Sequence, residues 1–221
     1  MSERPAKSAP RGRRPDRDRI RAALTRLAAD FDIAVADSRA ELLAAFLGEL
    51  AVWGEATNLT GRLSEEDLAF HCLESALGAS LLAPAERVLD IGSGAGFPGI
   101  PLAIWGVRIT LLEPRERRAA FLRHVVRTLP GLNAEVRADR VERLSVPSYD
   151  SATVRAVGDL GAAVGEAKFL KPQGKLLIWT SDAARYAAEL APAFRLESSK
   201  TVPASRSRVI AVFRECSTGN I

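Results

Sequence analysis

The sequence predicts an α/β protein: a parallel, doubly wound sheet covered by helices on both faces, preceded by a small all-helical region. Three observations lead there. Apolar residues recur at helical spacing between residues 20 and 85. From Glu86 onward, apolar runs of strand length alternate with amphipathic stretches of helix length, the pattern of a parallel sheet. The first of those runs ends in a glycine-rich turn, Asp90-Ile91-Gly92-Ser93-Gly94-Ala95-Gly96-Phe97-Pro98-Gly99. A length of 221 residues suits one such domain with a smaller attached element.

Residues 1 to 21 hold eight Lys/Arg (Arg4, Lys7, Arg11, Arg13, Arg14, Arg17, Arg19 and Arg21) against three acids. Such a segment buries little apolar area, so residues 1–19 are expected to form a disordered basic arm, either a solubilising tail or a phosphate-binding one. Residues 20–85 follow as the helical region and 86–221 as the α/β domain. Within the former, Leu24, Leu27, Ala28 and Phe31, then Leu42, Leu43, Phe46, Leu47, Leu50 and Val52, mark two amphipathic helices that part near Asp37-Ser38, a candidate N-cap. Ser64-Glu65-Glu66-Asp67 supplies a cap and first-turn acids for a third, with Leu68, Cys72, Ala76 and Leu77 as its apolar stripe.

The α/β domain opens with strand Arg87–Ile91, the glycine turn and a helix from about Pro98 to Trp105. Strand Val107–Glu113, helix Arg115–Leu129, strand Asn133–Ala138, strand Tyr149–Val157 and helix Leu160–Leu170 follow. Strand Gly174–Thr180, helix Asp182–Leu190 and strands Phe194–Thr201 and Arg206–Arg214 complete it. Only Val202–Ser205 separates the last two strands, which must therefore pair antiparallel, as a hairpin on an otherwise parallel sheet.

Hydrophobic residues at 47% and charged residues at 26% allow a full core, and no run approaches the roughly 18 apolar residues of a membrane span. The N-terminus lacks the apolar centre of a secretory signal. Cys72 and Cys216 stand far apart with no metal-ligand neighbourhood. The expectation is a cytoplasmic monomer with no membrane segment, disulfide or metal site.

In the turn, Gly92, Gly94 and Gly96 permit positive φ and let a ligand lie directly against backbone. The helix beyond offers unpaired N–H groups, and Pro98 near its start loses nothing by lacking one. Two nucleotide cofactors compete. Gly94-Ala95-Gly96-Phe97-Pro98-Gly99 satisfies the dinucleotide pattern G-x-G-x-x-G. Asp90, however, would repel a pyrophosphate and suit the ammonium of a methionine moiety. Glu113, at the end of the second strand, can accept from ribose hydroxyls, and Asp139 and Glu142 would border the adenine. Acids around one pocket favour a cationic sulfonium, S-adenosylmethionine, over an anionic dinucleotide.

These residues also carry a resemblance. Val88 through Ala103, with Phe97-Pro98-Gly99-Ile100-Pro101-Leu102 at its centre, resembles the first motif of the bacterial 16S ribosomal RNA guanine-N7 methyltransferases (glucose-inhibited division protein B). Trp53 with Asn58-Leu59-Thr60 is similar to that family's W-N-x-x-x-N-L-T, and His71 through Leu77 to its H-x-x-D-S-L helix. Leu111-Leu112-Glu113 through Leu122, Val154-Arg155-Ala156, and Pro203 through Val212 match further stretches, so the resemblance spans about residues 40 to 215. It implies a Rossmann-like, seven-stranded S-adenosylmethionine methyltransferase sheet with an N-terminal helical extension. The implied reaction is methyl transfer to guanine N7 in the decoding-region loop of 16S rRNA, with the small ribosomal subunit as partner. The implied cofactor contacts fall on Gly92, Phe97, Val141, Glu142 and Arg155. Three departures stand out: Glu74 replaces an Asp, Gly54 replaces an Asn, and Trp179-Thr180-Ser181 replaces Leu-Lys-Gly.

Guanine N7 carries an in-plane lone pair and no proton, so it needs positioning rather than a general base, and no Ser-His-Asp set, cysteine nucleophile or metal cluster is evident. Arg155 would hydrogen-bond the methionine carboxylate or the incoming guanine, or else pair with Asp150 or Asp159. His71 is either a local structural residue or a substrate contact. Asn58 is either a base-edge donor or a turn residue, and His124 packs or lies on the surface. Arginines at 115, 117, 118, 123 and 127 form a solvated helix face or a phosphate-binding border. Two alternatives remain: an NAD(P)-dependent oxidoreductase, and a non-catalytic RNA-binding relic of the same fold.

Overall fold

The structure is a computed structural model that describes residues 16–57, 63–156, 158, 160–165 and 169–216. Three helices come first: α1 (Arg17–Asp30), α2 (Asp37–Thr57) and α3 (Glu65–Ala76). Asp16 caps α1 by accepting from the backbone of Asp18 and Arg19, and Ile20 is fully buried. The arm expected to reach residue 19 thus gives way to helix at Arg17, because a cap and a buried apolar residue outweigh the surrounding charge. Its first fifteen residues lie outside the described residues. At α3 the Ser64 hydroxyl accepts from Asp67 N while the Asp67 carboxylate accepts from Ser64 N, a complete capping box. Val52 departs from the expected stripe and faces solvent.

The α/β part runs β1 (Arg87–Ile91), α4 (Gly99–Ile104), β2 (Arg108–Leu112), α5 (Glu116–Thr128), β3 (Ala134–Arg137), β4 (Tyr149–Arg155) and α6 (Leu160–Gly165). It ends with β5 (Leu170–Thr180), α7 (Ala183–Leu190), β6 (Phe194–Thr201) and β7 (Val209–Glu215). The seven strands lie in the order β3-β2-β1-β4-β5-β7-β6. β7 inserts between β5 and β6 and runs antiparallel to both, and the other neighbouring pairs are parallel. The expected hairpin is therefore present, and its second strand is the one that joins the sheet.

Two boundaries differ from expectation. The helix expected to reach Leu170 is described as far as Gly165, and Leu170 pairs instead with Tyr149 in β5. A bulge then brings Lys175 opposite Ser151, with Gln173 at φ 64°, so the strand begins four residues before Gly174. β7 starts at Val209 rather than Arg206, which leaves Arg208 in the loop.

Side-chain alternation divides the core. Val88, Leu111, Leu177, Ile210 and Val212 face the N-terminal helices, α4 and α5. Leu89, Ile91, Leu112, Ala152, Val154, Leu176, Ile178 and Phe213 face α6 and α7. Each fully buried side chain of this size contributes about 1.5–3 kcal/mol, so both helical layers are integral to the fold. The helical preface is fastened to the sheet through Trp179 of β5, whose Nε1 donates to the Glu74 carbonyl at 2.8 Å. A β-carbon on Gly78, in the 3-10 turn after α3, would stand 2.5 Å from the Trp179 ring. Glycine there makes room for the indole that stands where the resembling family has leucine.

Candidate active site at the carboxyl edge of the sheet

The glycine turn leaves β1 and crosses toward β2. Gly92 N and Ser93 N both donate to the Leu112 carbonyl, at 2.9 and 3.1 Å, which pins the turn to the neighbouring strand. Gly92, Gly94 and Gly96 have φ of 71°, 53° and 93°, as the sequence required. Gly99 serves differently: a β-carbon there would lie 2.2 Å from Leu111 and 2.5 Å from the Asp90 carboxylate, so glycine permits the close approach of α4. The Phe97–Pro98 bond is cis, and α4 is a short helix of six residues that starts only at Gly99. The helix expected to offer unpaired N–H groups beyond the turn is therefore short.

The two acids at this turn sit beneath it rather than on its surface. Asp90 is fully buried; its Oδ1 accepts from Thr153 Oγ1 at 2.9 Å, while Oδ2 has no hydrogen-bond partner. Burial pushes its carboxyl up from 3.8 to about 6, against the favourable dipoles of Ser93, Thr153 and Gly99, and the nearby Glu113 charge adds to the rise. Glu113 is also buried, with Oε2 accepting from Gly94 N at 3.0 Å and Oε1 from Arg115 N at 2.8 Å. The Asp90 side chain expected to meet an ammonium is therefore enclosed beneath the turn. Glu113 spends one lone pair of each oxygen on holding the turn.

Beyond β3, the Val141 side chain packs into the core and Glu142 is exposed on the 3-10 turn Val141–Arg143. The Arg140 N–H, joined by Arg137 at 3.0 Å and Arg143 at 3.7 Å, holds the Asp139 carboxyl below the usual range. The acids expected to ring one pocket are therefore divided between a buried pair and an exposed or neutralised one. Asn58 and Asp159 lie outside the described residues.

Phe97 stands at the junction of helices and sheet. Its ring meets Phe46 edge-on at 5.3 Å, lies 6.0 Å from His71, and carries the Arg155 guanidinium at 5.7 Å. Arg155, at the end of β4, does not pair with Asp150, which instead binds Lys171 and the Arg87 N–H. Its Nη2 lies 2.8 Å from His71 Nδ1 and 3.2 Å from Glu74 Oε2, and its Nη1 is buried without a partner. Glu74, 2% exposed, also receives Arg208 Nη1 at 3.0 Å from both oxygens and lies 3.2 Å from His71 Nδ1. Burial pushes the Glu74 carboxyl up, but His71, Arg155 and Arg208 outweigh it and hold the group below its ordinary range.

Sequence reasoning missed this cluster: Glu74 and Arg208 are 134 residues apart and only the fold joins them. A cleft of about 310 Å³ opens from it along the ends of β4 and β5. His124 bonds Glu49 at 2.7 Å and packs on Trp53, a structural role remote from this edge. Of the α5 arginines, Arg118 reaches the turn, 3.7 Å from where a β-carbon on Gly94 would be, and Arg123 pairs with Glu116.

A seven-stranded sheet of this order, with a glycine turn at the carboxyl end of its first strand, defines a Rossmann-like methyltransferase fold. Solved structures that share it include two methyltransferases. The ribosomal protein L11 methylase of Lactobacillus delbrueckii has a TM-score of 0.54 at 12% identity, covering 66% of this chain and 79% of its own. The CcbJ methyltransferase of Streptomyces caelestis has a TM-score of 0.54 at 15% identity, covering 65% and 89%.

The chain belongs to the GidB family, rRNA small subunit methyltransferase G, whose sequence profile matches residues 39–206. Relatives named ribosomal RNA small subunit methyltransferase G include that of Rhodospirillum centenum, 44% identical over 153 residues, covering 66% of this chain and 70% of the relative. That of a Janthinobacterium species is 32% identical over 167 residues, covering 72% and 76%. This is a methyltransferase family, which leaves the dinucleotide reading of the glycine turn without support.

Proposed function

We propose that this protein transfers the methyl group of S-adenosylmethionine to N7 of a guanine in the 16S rRNA of the small ribosomal subunit. The observation that carries the reading is the adjacency of two features at one sheet edge. These are a turn of three left-handed glycines above a buried acid, and the Arg155 cluster joined to it through Phe97. The turn fits the cofactor: its glycines at positive φ let a ligand lie against backbone, Gly92, Ala95 and Phe97 are half-buried rather than enclosed, and the carboxylate of Asp90 lies below. Gly92, Gly94 and Phe97 would hold the methionine end, with Asp90 acting through the backbone. Glu113 keeps lone pairs for the ribose, while Val141 and Glu142 border the adenine and Arg155 faces the methionine carboxylate or the incoming nucleotide.

When bound, S-adenosylmethionine supplies an electrophilic methyl on a positively charged sulfur. The N7 lone pair forms the new C–N bond, the S–CH₃ electrons return to sulfur, and the positive charge passes to the base. No proton moves, so neither His71 nor a metal is required, and the chain's work is orientation and exclusion of water. Orientation of this kind is worth roughly 7–11 kcal/mol. Among the described residues no helix is long and apolar enough to cross a membrane, and no trio of His, Cys, Asp or Glu is placed to hold a metal. On this reading the protein acts in the cytoplasm, where its ribosomal RNA target is. His71 would line the approach of the base.

The test is incubation with labelled S-adenosylmethionine and small subunits that lack the modification. Label in 16S rRNA is the expected result; unlabelled rRNA would leave a relic of the fold.

A further inference from the structure

We infer that the cleft bounded by Glu74, Arg155, Arg208, Thr180 and Ser181 seats a phosphodiester of the target nucleotide, with Arg208 its principal contact and Glu74 a positioning residue. The inference rests on the RNA-methylating reading above and adds to it a site that holds the nucleotide. Charge is the first argument. Within the cleft wall one carboxylate faces two guanidinium groups, Arg208 at 3.0 Å and Arg155 at 3.2 Å, so the wall keeps one positive charge in excess. Arg155 Nη1 is buried and without a partner, and such a donor wants an anionic oxygen. Arg208 is the more exposed of the pair: its side chain is 42% exposed against 17% for Arg155, and it sits in the loop before β7.

The reaction argues for a phosphate rather than a base edge. Methylation at N7 leaves the guanine cationic, so guanidinium groups against the base would oppose it. Two guanidinium groups on the phosphate instead fix the nucleotide and leave N7 free. Glu74 presents Arg208 in one orientation by bonding it through both oxygens, and it draws Arg155 into the same wall. Arg155, in the cleft wall, also lies over the ring of Phe97 in the glycine turn at 5.7 Å, so a nucleotide held in the cleft lies next to the methyl donor's seat.

Arg208→Ala should raise the KM for small subunits about tenfold to a hundredfold, the worth of one charge-assisted contact. It should also flatten the dependence of log affinity on log salt by about 0.7–1, and leave the Kd for S-adenosylmethionine unchanged. Because that variant also strips Glu74 of a partner, Ser181→Asp is made beside it; the residue is exposed, and a carboxylate at the mouth should raise the same KM without touching the core. A KM and salt slope equal to wild type in both folded variants would overturn the assignment. A parallel loss of S-adenosylmethionine affinity would also overturn it, giving the cations to the cofactor's carboxylate. Wild-type protein that methylates no rRNA would instead remove the activity on which the site depends.

Discussion

Replacing Asp90 with asparagine separates the stability of the glycine turn from its chemistry. Asp90 is enclosed, with one carboxylate oxygen unpartnered, and its carboxyl is raised from 3.8 to about 6. The folded state therefore holds the proton more tightly than the unfolded chain does. Between pH 3.8 and 6 folding takes up a proton, so the stability associated with this group is full below pH 3.8 and is lost as pH rises to 6. A shift of this size corresponds to about 3 kcal/mol. Asparagine has the same shape and no charge to bury, so it escapes that loss. The difference in unfolding free energy, Asp90→Asn minus wild type, should then grow by up to about 3 kcal/mol in favour of the variant from pH 4 to pH 7. Urea unfolding of both proteins at half-unit pH steps measures it, since every other titrating group is common to the pair. The same variant should bind S-adenosylmethionine more weakly at pH 7, because the negative charge beneath the turn is gone. A stability difference that is flat with pH, or that moves against the variant, would refute the reasoning.

Other perturbations follow from the same contacts. Gly78→Ala should cost about 1–3 kcal/mol by driving a methyl into the Trp179 ring. Trp179→Leu should relieve much of that cost, so a double-mutant cycle by chemical denaturation should show non-additivity. Gly94→Val places a β-branched residue at φ 53°, and calorimetry should find its affinity for S-adenosylmethionine at least about tenfold lower, while the fold persists. His124→Gln, which perturbs a half-buried pair with Glu49, should change unfolding free energy by less than about 1 kcal/mol and leave methyl transfer at the wild-type rate.

What the sequence reveals of this protein is what local chemistry writes into it. The Ser64 cap and its Asp67 partner are three residues apart, the three glycines lie within five, and strand Arg87–Ile91 is bounded by a polar start and that turn. All were legible. The alternation that sends Leu89 to one face and Val88 to the other was legible as strand period, although not which helices would cover each. The side-chain roles were less so. Asp90 and Glu113 were read as acids facing a ligand because sequence locates an acid at a strand end but not the direction in which it is buried. Their enclosure depends on Thr153 from β4 and on the backbone of Gly94 and Arg115. The Glu74–Arg155–Arg208 cluster joins a helix, a strand and a loop that approach one another only in the folded chain. The sequence offers Arg155 a methionine carboxylate, a guanine, or the nearby Asp150 and Asp159 as partners. The partner is Glu74, because the helical preface lies across the end of β4.

Mapping the modified nucleotide tests the central claim most directly. After incubation of unmodified small subunits with this protein and S-adenosylmethionine, 16S rRNA should acquire N7-methylguanosine at one guanine in the decoding-region loop. Nucleoside mass spectrometry would identify it and chain cleavage at the N7-methylated base would locate it. Methylation at another atom, at another base, or at many guanines without preference would contradict the account.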